Sequence, residues 1–180
     1  MLRRQPRGHH SGEVNSDDRR SCTRARDDSF ARGRRLRAPS EFAALLQAPR
    51  IRSIRAARRF LGVIAAWKAV NEGSESTPRV RFGVIVGRRN VRRAVDRALV
   101  KRIVREACRH QARMFDDCAA LLGVCIDIAM RVKSPLIDTN GVPLAMRQWR
   151  RHLRTEADDL LQHLLAELPA RLRSANDLER

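Results

Sequence analysis

The chain has 180 residues, enough for one ordinary domain with tails, and carries a formal net charge of +18 with a sequence pI near 11.6. A balance that basic speaks to partners rather than fold, and points to a polyanion: nucleic acid, an anionic membrane or an acidic protein. No apolar run reaches the length of a bilayer span, and the opening MLRRQPRGHHSGEV lacks the apolar stretch of a secretory signal, so a cytoplasmic protein is expected.

Residues 1–38 hold eleven arginines and almost no apolar side chains. Such a segment cannot bury enough surface to offset its ordering entropy, and is expected to be a disordered basic arm. Pro39–Ser40–Glu41 then opens a short helix with Phe42, Leu45 and Leu46 on one side, ended by Pro49. Residues 51–59 alternate loosely and read as an edge strand. The apolar FLGVIAAWKAV, 60–70, is of strand length. NEGSESTP, 71–78, has the composition of a turn or loop. In VRFGVIVG, 80–87, Val80, Phe82, Val84 and Val86 share one strand face.

A helix is predicted over roughly 90–115, with Val95, Leu99, Ile103 and Ala107 as its apolar stripe, flanked by Val100, Val104 and Met114. VCIDIAMRV, 124–132, reads as a strand with Val124, Ile126, Ile128 and Met130 on one face. Residues 144–167 return to helical spacing, with Trp149, Leu153, Leu160 and Leu164 as core candidates, and Pro169 is expected to close that helix before a tail at 169–180. The order helix, three strands, helix, strand, helix predicts an α+β fold in which three helices pack on a small four-stranded sheet. One domain is expected over 39–168.

The predicted helix at 90–115 carries the strongest functional signal. Arg93, Arg97, Lys101, Arg105, Arg109 and Arg113 recur every four residues, a spacing at which like charges on neighbouring turns repel. Residues 88–113 hold ten cations against only Asp96 and Glu106. Phosphates can supply the missing counter-charge, with release of condensed counterions. The plain alternative is a solvated basic face, but the row coincides with the excess charge of the whole chain, which favours nucleic acid. There is no tyrosine and few other aromatics, so the base-stacking sheet of a single-strand reader is not visible. No second helix lies at the short distance before this one that a helix-turn-helix needs. Arginine forks suit the phosphates of structured RNA.

Cys22, Cys108, Cys118 and Cys125 include no C-x-x-C pair and read as plain thiols. A metal set of Cys108, His110, Cys118 and Cys125 fits no common zinc spacing. His9, His10, His152 and His163 have no evident partners. Asp127 falls opposite the apolar face of its strand, where it can contact an arginine or an ion. No catalytic constellation has supporting local spacing, so no catalytic and no metal-binding residue is assigned.

RFGVIVGRRNVRRAVDRALVKRIVREACR, residues 81–109, resembles the signature region of the bacterial ribonuclease P protein subunit. That family has a glycine-containing strand, then K/R-K/R-N-V-R-R-A in one branch, then R-N-R-x-K-R-x-x-R-E. The matching positions are Gly83, Val86, Arg88, Arg89, Asn90, Val91, Arg92, Arg93, Ala94, Arg97, Lys101, Arg102, Arg105 and Glu106. RLRAPSEFAALL, 35–46, is similar to the family's opening segment, Arg59–Phe60 to its next strand, and VCIDIAMRV, with Arg131 at a usually basic position, to its last strand. The family's R-N-R is Arg97–Ala98–Leu99 here, and two usual aromatics are Leu46 and Val63.

The resemblance implies a fold like the second domain of ribosomal protein S5, with a left-handed crossover. It also implies that the protein is an accessory subunit. A large RNA performs magnesium-assisted endonucleolytic removal of the 5′ leader from precursor tRNA, and the protein binds no cofactor of its own. Its partners would be the catalytic RNA and precursor tRNA, with no membrane. Arg88, Arg89, Arg92, Arg93, Arg97, Lys101, Arg102, Arg105 and Arg109 would contact RNA, and Phe42, Phe60 and Arg131 would form the leader cleft. Two other readings stand beside this one: a general structured-RNA or ribosome-associated module without processing activity, and a basic protein that docks on membranes or acidic partners. In the latter the apolar stripe would have to be free for insertion, whereas the core needs it.

Overall fold

The computed structural model describes residues 32–70 and 79–178. Among them the elements run α1 (Pro39–Gln47), β1 (Ser53–Ala57), β2 (Leu61–Ala69), β3 (Val80–Ile85), α2 (Ala94–Leu121), β4 (Val124–Val132) and α3 (Met146–Leu178). This is the predicted α+β order. The sheet order is β1-β2-β4-β3, with β1/β2 and β2/β4 antiparallel and β3/β4 parallel. α2 is the crossover that a parallel pair requires.

Strand parity divides the sheet into two unequal faces. Leu61, Val63, Ala65 and Trp67 of β2, Val80 and Phe82 of β3, and Val124, Ile126, Ile128, Met130 and Val132 of β4 build the main core beneath α2 and α3. Ile64, Ala129, Leu36 and Leu45 form a small second core under α1, with Phe42 and Ala66 packed against it. Burying a leucine such as Leu45 contributes roughly 2 kcal/mol, so this thin layer alone anchors α1 weakly. Polar contacts hold α1 as well. Glu41 accepts the N–H groups of Arg37 (2.7 Å) and Ala38 (2.8 Å) at the helix start, and Arg55 donates to the Leu46 (2.8 Å) and Ala48 (3.3 Å) carbonyls at its end.

Three expectations are corrected here. The basic arm does not extend to residue 38: Arg32–Arg34 form a turn of 3₁₀ helix, Leu36 is buried, and its N–H donates to the Phe82 carbonyl (2.9 Å), covering part of the free β3 edge. Residues 1–31, with His9, His10 and Cys22, and the loop at 71–78 lie outside the described residues. The apolar stripe of α2 is rotated from the predicted one. Its buried residues are Val100, Val104, Ala107, Cys108, Phe115 and Ala119, whereas Val95 is 76% and Met114 57% exposed. A four-residue spacing drifts about 40° per step around a helix, so the Val95 row leaves the core side at its start. Finally, α3 runs through Pro169 to Leu178. Pro169 forfeits one backbone hydrogen bond, but Leu168, Leu172 and Ala175 remain buried in the main core and carry the helix past it.

Candidate nucleic-acid interface

β3 ends in a turn at Arg88–Asn90 that leads into α2. Two side chains anchor it inward. Asn90 donates through Nδ2 to the Val132 carbonyl at the end of β4 (2.7 Å), and Val91 is buried. The Asn90 and Val91 N–H groups both reach the Gly87 carbonyl. With those two residues held, Arg88, Arg89, Arg92 and Arg93 are left exposed around them.

The cation row continues along α2 and, by the same drift of about 40° per step, crosses the helix face obliquely. It is not uniform. Arg97 turns back, and its guanidinium donates to the Arg92 (2.5 Å) and Val91 (3.3 Å) carbonyls that precede the helix. Arg93, in the N-cap position, makes no side-chain cap, so Arg97 ties the loop to the helix start. Arg109 is held by Glu106 (2.6 and 3.2 Å), which also meets His110 (3.1 Å). The Arg109 hydrogen bond is the main cause of a Glu106 carboxyl lowered to about 2. Arg102, Arg105 and Arg113 are exposed and Lys101 is half-buried. Of the nine cations expected to contact RNA, Arg97 and Arg109 are therefore engaged within the protein. Arg88, Arg89, Arg92, Arg93, Lys101, Arg102 and Arg105 form no ion pair among the described residues. Asp116, farther along α2, is held by Arg34.

On the opposite sheet face, beside α1, lies an open groove of about 310 Å³. Ile64, Ile85 and Ala129 give it an apolar floor, Leu46 an apolar wall, and Arg55, Arg131 and Lys133 cationic walls. Arg131, one of the residues expected in a leader cleft, lines this groove. Phe42 sits one turn before Leu46 on α1, against Gly83: a Cβ at that glycine would lie 2.4 Å from Phe42 Cε1. Phe60 is not in the groove. It is 1% exposed within the main core, with its ring 5.9 Å from His152 of α3 and Arg59 over its face. It precedes the first residue of β2, at a bend, so strand parity does not apply to it. Arg55, Lys133 and Ile85 line the groove and were missed. Parity could have found Ile85, which shares the face of Gly83, and Lys133, two residues beyond Arg131.

Arg81 fixes α1 over this face. Its register partner on β4 is Asp127, to which it donates through Nε (2.8 Å) and an Nη (2.7 Å), while the other Nη reaches Glu41 (2.7 Å). The Arg37 and Ala38 N–H groups, followed by Arg81, hold the Glu41 carboxyl below its ordinary range. Asp127 therefore faces an arginine.

Cys108 lies against the Met130 thioether (3.9 Å), and burial pushes its thiol up to about 12. His163 pairs with Glu167. Among the described residues no three His, Cys, Asp or Glu side chains are grouped to hold a metal ion, and no helix is long and apolar enough to cross a membrane.

A family model described as Ribonuclease P matches residues 30–140, more than half of the chain. Among solved structures, the RNase P protein of Staphylococcus aureus is similar over 72% of this chain and 93% of that one, at 16% identity and a TM-score of 0.45. No curated protein matches.

Proposed function

This chain belongs to the ribonuclease P family, and from that premise we propose how its two basic surfaces divide the work of 5′ tRNA maturation. The chain is the accessory protein subunit of an endoribonuclease whose chemistry resides in RNA. Arg88, Arg89, Arg92 and Arg93 of the loop, with Lys101, Arg102 and Arg105 of α2, lie along phosphates of the catalytic RNA. Arg97 holds the loop to the helix, and Arg109 contributes through its pair with Glu106. The observation that carries this reading is the set of seven cations that form no ion pair among the described residues, on a loop and helix where residues 88–113 hold only Asp96 and Glu106 as acids and Glu106 is held by Arg109. Unpaired arginines on one face repel one another, and a polyanion relieves that repulsion.

The groove beside α1 takes the 5′ leader of precursor tRNA. Its apolar floor accepts unstacked bases, and Arg131 and Lys133 face their phosphates. Phe42 supports the α1 wall. Magnesium serves the reaction through the RNA, and no side chain here is assigned to it. The working location is the cytoplasm.

The test compares leader-bearing precursor with mature tRNA, each bound to the RNA–protein complex. Arg131→Gln with Lys133→Gln is expected to weaken precursor binding several-fold and leave mature tRNA unchanged. Equal losses for both ligands would remove the groove from leader recognition.

A further inference from the structure

The start of α3 lies beyond the segment that matches the family, which ends at residue 140. Its first ten residues, MRQWRRHLRT, contain four arginines and no acid. Arg147, Arg150 and Arg151 are exposed and form no ion pair among the described residues, and Arg154 is held by Asp158 (2.7 Å). Cations at a helix start face the positive end of the helix dipole. The next acid, Glu156, forms no ion pair with them among the described residues; its carboxylate accepts the N–H groups of Phe60 (2.9 and 3.2 Å) and Leu61 (2.9 Å).

A chain of hydrogen bonds joins the loop at 88–93 to α3 at Glu156, beyond these arginines. Asn90 bonds the Val132 carbonyl (2.7 Å), the next residue's N–H bonds Phe60 (2.9 Å), and Phe60 bonds Glu156 of α3. α3 packs directly against α2. Tryptophan and leucine at 149 and 153 are buried, so the apolar side of this turn is committed to the core and not available to a membrane.

We infer that Arg147, Arg150 and Arg151 form a second phosphate-binding surface, on the helix packed against α2 and occupied by the backbone of the same catalytic RNA. The inference rests on the proposed function and enlarges its footprint. The occupant follows from charge complementarity and from the packing of α3 on α2.

The test uses the full chain and a ribonuclease P RNA. Replacing all three arginines by glutamine keeps helix propensity and should lower the slope of log affinity against log salt by about 2, at 0.7–0.9 per lost contact. An iron chelate on Arg151→Cys should cleave the RNA at sites distinct from those cut from Arg102→Cys, and more strongly than one on Gln162→Cys farther along α3. This second readout needs binding only, so it stands even if the triple variant folds poorly. An unchanged slope, or cleavage from position 151 no stronger than from 162, overturns the inference alone. Absence of RNA binding by the unaltered chain would overturn the proposed function and this inference together.

Discussion

The unequal state of the cations in the α2 row leads to a sharp expectation. Arg93, Arg102 and Arg105 are exposed and unpaired among the described residues, so converting the three to glutamine removes up to three phosphate contacts. Each contact contributes 0.7–0.9 to the salt slope, so the slope should fall by about 2–3. Extrapolated from 1 M to about 0.15 M salt, that amounts to roughly 100-fold weaker binding. Exposed helix sites tolerate glutamine, so thermal stability should change little. Arg97→Gln should behave in the opposite way. Its guanidinium is bonded to the Val91 and Arg92 carbonyls, and losing those bonds should cost about 1–2 kcal/mol of stability with a much smaller change in slope. Titrating catalytic-RNA affinity over salt, beside thermal unfolding of the free proteins, separates the two effects. The reasoning fails if the triple variant keeps the unaltered slope, or if Arg97→Gln lowers it as much as the triple does.

Other expectations concern the scaffold. Glu156→Ala should strand the Phe60 and Leu61 N–H groups and cost about 2–4 kcal/mol, lowering the melting temperature by roughly 5–15 °C. Gly83→Ala places a methyl 2.4 Å from the Phe42 ring and 3.1 Å from Leu36. The ring must leave its seat, at about 1–3 kcal/mol, and calorimetry together with leader-bearing precursor affinity would register both consequences. Glu41 titrates below its ordinary value of 4.5 in the folded chain. Its contribution to stability is therefore complete above about pH 4.5 and is lost as the pH falls through the depressed folded value. Glu41→Gln should accordingly flatten part of the fall in unfolding free energy on the acid side. A parallel curve for the variant would mean that Glu41 does not hold α1 in this way.

Strand assignments were legible in the sequence because period-2 alternation survives wherever one face is buried. Val80 and Phe82, and Val124 to Met130 in steps of two, occupy the predicted core face. The phase of α2 was not legible to the same degree. Both the Val95 and the Val100 rows are apolar at four-residue spacing, and only packing against β3, β4 and α3 selects Val100 and Val104. The position of Phe60 depends on a bend before β2 that no residue pattern marks, and its burial comes from packing within the main core. Continuation of α3 past Pro169 depends on Leu172 and Ala175 finding the core, a tertiary gain that local rules do not register. The basic loop and helix were visible as charge. Which cations are free was not, since the carbonyl partners of Arg97 are backbone groups.

The central claim is that this protein assists an RNA catalyst through phosphate contacts on α2 and its preceding loop. Cleavage of precursor tRNA by a ribonuclease P RNA at limiting magnesium measures that claim most directly. The unaltered chain should raise the rate of leader removal, and the variant lacking Arg93, Arg102 and Arg105 should need much more protein to reach the same rate. Tight binding of the chain to that RNA with no gain in cleavage would contradict the account.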